Sequence, residues 1–282
     1  MRISVNGVQL YFDVEGAQLV PDGAQVREKP TLILLHGGPG ADHFVYKPDM
    51  SPVAEAAQLI YLDQRGNGRS DASDAEHWTL AQWAEDLAGF CDALEITRPV
   101  VLGASFGGFV AQAYATMYPD RLSGLILISS AAKFDFAQMI AAFGRIGGPA
   151  ARDAAEAYWM SPTAQSRRAY HAACLPLYTR TSRPEMFARL IIKDDVALHF
   201  NGPQNEQGRM DFRAALARVT CPVLVMAGEE DPVTPVAFSH EIVAHLTNAP
   251  VTFERFADCG HGVLGDQPEA ARLAITRFLG GL

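Results

Sequence analysis

The chain has 282 residues, a formal net charge of −9 and 49% apolar residues, with its basic residues scattered rather than clustered. That length and apolar share suit one large α/β core, alone or with a smaller inserted unit, and exclude a disordered chain. The acidic balance and the lack of a Lys/Arg block argue against nucleic acid or anionic membrane as partners.

Met1 to Gly7 alternates as a strand does, and Val5-Asn6-Gly7-Val8 carries a hairpin signal before the alternating Gln9 to Val14. This opening lacks an apolar targeting core, and no apolar run approaches roughly 18 residues. Five runs are apolar throughout: 31–35, 59–62, 99–102, 125–128 and 222–226. Such runs predict parallel strands covered on both faces. Helical stretches alternate with them at 83–90, 109–118, 235–246 and 268–278, which predicts right-handed crossovers.

Between Ala132 and about Arg213 that rhythm stops. Helical periodicity is evident at 153–160 and 185–192, broken by Gly147-Gly148-Pro149, Ser161-Pro162, Pro184 and Gly202-Pro203. Residues 132–213 therefore read as a helical cap inserted into a core made of 1–131 and 214–282. The cap is expected over the strand C-termini, where open α/β sheets place ligands.

The most informative motif is Gly103-Ala104-Ser105-Phe106-Gly107-Gly108, between the third apolar run and an Ala-rich helical stretch. Strand, sharp turn and helix in that order make a nucleophile elbow, with Ser105 lifted clear of the sheet. Gly103 and Gly107 spare the crowded turn two Cβ atoms. A serine hydroxyl is a weak nucleophile and needs a base that is itself oriented by a carboxylate. Asp231 follows the strand at 223–226 and precedes a helix at Pro235, which selects it over its rivals Glu229 and Glu230. His261, in Asp258-Cys259-Gly260-His261-Gly262 after an alternating strand at 251–256, is placed as the base. The remaining histidines fall on loops, the insertion or a surface helix, where solvation or packing accounts for them.

Acyl transfer also needs donors for the developing oxyanion. His36-Gly37-Gly38-Pro39-Gly40 follows the first buried strand, so the Gly38 N–H and the Phe106 N–H are the expected pair, with His36 structural. Asp63 to Ser70 lacks the Lys-Ser/Thr of a phosphate loop and reads as a turn held by Asp63 and Arg65. The four cysteines, Cys91, Cys174, Cys221 and Cys259, show no metal-ligand spacing. Reduced thiols in a cytoplasmic protein are expected, with no metal. Phe134, Phe136, Phe143, Tyr158, Trp159 and Tyr178 are candidates to line an apolar acyl pocket.

These residues together resemble the proline iminopeptidase branch of the α/β-hydrolase superfamily. The loop His36–Gly40, the D-Q-R-G-N-G-R-S stretch Asp63–Ser70 and the elbow Gly103–Gly108 carry the likeness, which spans the core almost end to end. It implies an α/β-hydrolase fold: a mostly parallel eight-stranded sheet flanked by helices, under a helical cap. It also implies no cofactor and hydrolysis of an ester or amide. Asn201-Gly202-Pro203-Gln204-Asn205-Glu206 is similar to a stretch in which the family's glutamate anchors a substrate amino terminus, a role that would fall to Glu206. Where the family places a second such glutamate, after the catalytic aspartate, this chain has Pro232. The expected activity is therefore that of a serine hydrolase on a small ester, lactone or amide, with Ser105, Asp231 and His261 as its triad. An iminopeptidase acting on short peptides is the alternative; a ligand receptor or a lyase on the same scaffold is more remote.

Overall fold

The apolar runs form strands because each is clothed on both sides. In the strand Thr31–Leu35, Leu32 and Leu34 join one apolar cluster while Ile33 and Leu35 join the other, and all four are fully buried. Alternation of side chains across the pleat thus serves two cores at once. The computed structural model describes residues 1–181 and 183–282.

Ten strands are present among the described residues: β1 (Arg2–Val5), β2 (Val8–Glu15), β3 (Leu19–Asp22), β4 (Gln25–Glu28), β5 (Thr31–Leu35), β6 (Gln58–Leu62), β7 (Val100–Ala104), β8 (Gly124–Ile128), β9 (Val223–Gly228) and β10 (Val251–Phe256). Eight of them make one sheet in the order β1-β2-β6-β5-β7-β8-β9-β10. The β1–β2 and β2–β6 pairs are antiparallel and the rest parallel, as the sequence predicts. The β1–β2 turn places Asn6 and Gly7 at φ 45° and 81°, the left-handed pair such a hairpin favours. The small β3–β4 sheet is an addition to the expected plan.

The helices are α1 (Leu80–Ala93), α2 (Phe106–Met117), α3 (Phe136–Met160), α4 (Ala164–Cys174), α5 (Pro184–Phe187), α6 (Asp194–Phe200), α7 (Glu206–Arg209), α8 (Val236–His245), α9 (Val263–Asp266) and α10 (Pro268–Gly280). Helices α1, α2 and α8 contribute to the first apolar cluster, and α9 and α10 to the second. Among the described residues no helix is long and apolar enough to cross a membrane.

Among the described residues from α3 to α7 no strand joins the sheet. The Gly147-Gly148-Pro149 breaker acts as expected: within α3 two helical pieces meet at a kink where Gly148, at φ 78° and ψ −172°, leaves helical geometry. The periodic 185–192 stretch supplies only the short α5. The two ends of this helical segment meet. Phe212 N–H donates to the Ala132 carbonyl at 2.8 Å, and Lys133 bridges Asp211 in antiparallel fashion.

Candidate active site

Strand β7 ends at Ala104 and α2 begins at Phe106, leaving Ser105 between them at φ 53°, ψ −118°. Such a backbone costs about 1–3 kcal/mol for a residue with a Cβ, and it persists only where its surroundings impose it. Here they do. Ser105 N–H donates to the Ile128 carbonyl at 2.9 Å, and the Ser105 carbonyl accepts from Gly108 N–H at 2.9 Å and from Ser130 Oγ at 3.2 Å. The glycines of the turn are sterically required: a Cβ on Gly103 would lie 2.2 Å from Gly107 O, and one on Gly107 1.9 Å from Leu35 O. The Ser105 hydroxyl makes no capping hydrogen bond to α2. Phe106 N–H, in the first turn of α2, has no carbonyl within the helix to meet.

The loop after β5 lies against this elbow. A Cβ on Gly37 would sit 3.6 Å from Ser105 Cβ, and Gly38 takes φ 127°, which favours glycine. Tyr46, which the sequence analysis did not single out, fixes the spacing. Its hydroxyl donates to the Leu35 carbonyl at 2.7 Å and accepts from Ala104 N–H at 3.1 Å, tying the ends of β5 and β7 together. His36 is fully buried; its Nδ1 is 2.8 Å from Gly37 O, and Gln64 N–H donates to Nε2 at 3.3 Å. Burial holds its pKa below the ordinary histidine value, so it is a neutral strut between two loops.

The loop after β6 is held as its sequence suggests. Asp63 accepts from Arg69 N–H at 2.8 Å and from His43 Nδ1 at 2.7 Å; Arg65 forks onto Asp86 at 2.6 and 2.7 Å. Asp42, His43 and Asp63 bring potential metal-ligand atoms within 4.8 Å of one another. The two carboxylates are engaged within the loop, since Arg69 also pairs with Asp42 at 3.0 Å.

Asp231 is 1% exposed. Its Oδ1 accepts from the backbone N–H groups of Val233 and Thr234 at 2.7 and 2.9 Å. Its Oδ2 accepts from Thr234 Oγ1 at 2.7 Å and lies 2.8 Å from His261 Nδ1. Glu230 pairs instead with Arg180 and Glu229 with Arg255, so only the aspartate of that acidic run meets the imidazole. The network assigns the His261 proton to Nδ1, leaving Nε2 as an acceptor. His261 and Ser105 line the same cavity, of about 450 Å³, together with Gly37 and Gly38. No Ser105–His261 hydrogen bond is closed among the described residues. Loose geometry at such a contact is common before substrate arrives.

Phe134, Tyr158, Trp159 and Tyr178 all line this cavity, whereas Phe136 and Phe143 do not. Glu206 requires a correction. It does not line the cavity; its Oε1 accepts from Leu80 N–H at 3.1 Å, at the start of α1, and its other oxygen lies 3.5 Å from Arg209. The orphan N–H at a helix start attracts a carboxylate, and here it has recruited Glu206. Gln207 reaches the cavity in its place. The cavity's own carboxylates, Asp49 and Asp194, are each paired with an arginine that also lines it, Arg183 and Arg167.

A family model described as "alpha/beta hydrolase fold" matches residues 30–268. The chain is 28% identical to a protein of Caulobacter sp. (strain K31) named "Putative carbamate hydrolase RutD", over 95% of this chain and 97% of that one. Among solved structures it is similar to the proline iminopeptidase of Mycobacterium smegmatis, with a TM-score of 0.79 and 24% identity over 100% of this chain and 97% of that one. It is also similar to a thermophilic esterase from Thermogutta terrifontis, with a TM-score of 0.72 and 23% identity over 100% and 98%. With its sheet order, its strained elbow and this match over most of its length, the chain belongs to the α/β-hydrolase family.

Proposed function

We propose that the protein is a serine hydrolase that cleaves a small, uncharged ester, lactone, carbamate or amide through an acyl-enzyme. The observation that carries this reading is one cavity holding both a serine at a strained strand-to-helix turn and a histidine bonded to a buried aspartate. In this reading His261 Nε2 takes the proton of Ser105 Oγ as Oγ attacks the carbonyl carbon. Asp231 keeps Nδ1 protonated and stabilises the imidazolium that forms. The Gly38 and Phe106 N–H groups receive the oxyanion; such a donor typically supplies about 2.7–4 kcal/mol. His261 then returns the proton to the leaving group, and water repeats the sequence on the acyl-enzyme.

Residues 132–213 serve as a cap that roofs the cavity and carries Tyr158 and Trp159. The pairing of Asp49 and Asp194 with arginines leaves no spare carboxylate lining the cavity among the described residues to receive a substrate ammonium. That, with Glu206 engaged at α1, favours an uncharged acyl group over the free amino terminus an iminopeptidase requires. Carbamates belong in the substrate class on the strength of the named relatives. The four cysteines are free and buried, in keeping with a cytoplasmic enzyme.

Hydrolysis of p-nitrophenyl acyl esters and of an aryl carbamate by the wild type and by Ser105→Ala tests the reading. The variant is expected to fold and to lose at least about a thousandfold in kcat. Retention of most activity would remove Ser105 from the mechanism.

A further inference from the structure

The polar contacts of the His261 imidazole gather at one nitrogen, with Nδ1 2.8 Å from Asp231 Oδ2 and 3.3 Å from Thr234 Oγ1. Bonds at one edge of a flat ring fix that edge and leave the far nitrogen free to swing as the ring tilts. The surface that limits the tilt comes from the helical segment. Tyr178, just beyond α4, meets the imidazole with ring centroids 5.3 Å apart and planes 80° from parallel, an edge-to-face arrangement that aromatic pairs favour. Its own ring is anchored, because its hydroxyl lies 2.6 Å from the Tyr170 hydroxyl. Tyr170, buried within α4, packs in turn edge to face on Phe143 at 5.6 Å and stacks on Tyr158 at 4.9 Å. The Tyr178 main chain grips the same loop as the ring does, its carbonyl accepting from Gly262 N–H at 3.3 Å.

Tyr178 also lines the cavity, where it could serve as nothing more than acyl wall. Two observations assign it more. Its ring meets the histidine that is bonded to Asp231, and its hydroxyl ties it to a packed aromatic layer, which gives the imidazole a fixed neighbour. Burial raises the Tyr178 phenol well above the ordinary tyrosine pKa, so it contributes a surface and not a proton. We propose that Tyr178 is a positioning residue for His261, its ring setting the tilt of the imidazole about the bond to Asp231. The inference deepens the hydrolase reading and rests on it only in treating His261 as the base. A small misplacement of a catalytic group costs rate rather than binding, which separates this role from that of an acyl wall.

Two variants test it. Tyr178→Leu removes the ring and keeps the backbone carbonyl, whereas Tyr178→Phe keeps the ring and gives up only the hydroxyl contact. In Tyr178→Leu kcat for p-nitrophenyl butyrate is expected to fall about tenfold with KM within about twofold, and in Tyr178→Phe kcat should recover to within about threefold of the wild type. A second readout needs no turnover. Proton NMR of the resting enzyme follows the His261 Nδ1–H, assigned by its loss in His261→Asn. Its exchange with water is expected to be about tenfold faster in Tyr178→Leu and close to the wild-type rate in Tyr178→Phe. A rise in KM alone would leave Tyr178 as acyl wall, and equal losses of kcat in the two variants would trace the effect to the hydroxyl pair. Either result, or unchanged proton exchange in Tyr178→Leu, overturns the proposal. Should Tyr178→Leu fold poorly, Tyr178→Met, flexible and also without a ring, supplies the same comparison. Absence of ester turnover in the wild type, with the difference in proton exchange intact, would instead overturn the hydrolase reading and leave the role of Tyr178 at His261 standing.

Discussion

The backbone N–H of His261 donates to the Tyr178 carbonyl at 2.6 Å, so the imidazole that meets Asp231 is held by the helical segment as well as by the sheet. The approach is close enough to dictate sequence. A Cβ on Gly260 would lie 2.4 Å from Tyr178 O, and one on Gly262 2.5 Å from Thr179 Cγ2. Asp266 staples the same junction, with one oxygen accepting from Gly260 N–H at 2.9 Å and the other from Arg180 and Thr181 N–H at 2.8 and 2.9 Å.

Asp266→Ala is therefore expected to lower kcat for an activated ester about tenfold, with KM within about twofold. Unfolding stability should fall by about 2 kcal/mol as well. Steady-state kinetics and denaturant titration measure the two effects. A loss of stability with kcat intact would make Asp266 a staple of the fold alone.

Thr234 touches both partners of the candidate acid–base pair, with Oγ1 2.7 Å from Asp231 Oδ2 and 3.3 Å from His261 Nδ1. Thr234→Val keeps the shape and removes the hydroxyl. The expected result is a kcat about three- to tenfold lower, with little change in KM. An unaltered rate would mean that the two backbone N–H groups on Asp231 orient it without help.

Because Glu206 engages the start of α1, its removal should act on stability and leave substrate choice alone. Glu206→Ala is expected to cost about 1 kcal/mol of folding free energy. The ratio of rates on a free-amine amide and its N-acylated form should not move. A selective loss of the free-amine substrate in this variant would return Glu206 to the site.

His36 predicts an acid limb in the stability profile. Its folded-state pKa is lowered, chiefly by burial, against opposing attraction from Asp63 and Asp42, while His43 adds to the lowering. Below the ordinary histidine value of about 6.5 the unfolded chain takes up a proton that the folded chain refuses, so stability falls as pH drops through that value. Protonation would also set Nε2 against the Gln64 N–H that now donates to it. Melting temperature against pH should therefore decline below about pH 6.5 in the wild type and less steeply in His36→Asn.

The parts legible in the sequence were those fixed by local chemistry. The elbow at Ser105 could be read because glycines at 103 and 107 admit a close approach that no other residue permits. The central strands could be read because burial on two faces leaves them almost wholly apolar. The β3–β4 hairpin escaped notice because most of its residues are exposed and show no apolar alternation, although Asp22-Gly23 signalled its turn. Glu206 was misplaced because its partner, the Leu80 N–H, lies 126 residues away. Tyr46 and Asp266 were missed for the same reason, since the Ala104 N–H and the Arg180 and Thr181 N–H groups they meet lie far off in sequence, whereas Thr234, three residues from Asp231, carried a local signal that was overlooked.

The meeting of Ala132 with Phe212, and of Lys133 with Asp211, has an evolutionary corollary. A stretch of chain whose departure and return are neighbours is exchangeable as a cassette, by recombination at two points, without re-threading a single strand. The transplant is not unconditional, because an incoming cassette must still offer a carbonyl to His261 and amides to Asp266. It must equally reproduce the Lys193 N–H on the Gly40 carbonyl, Glu206 on the Leu80 N–H and Arg183 on Asp49, so the junction constrains the segment at several separate points along its length.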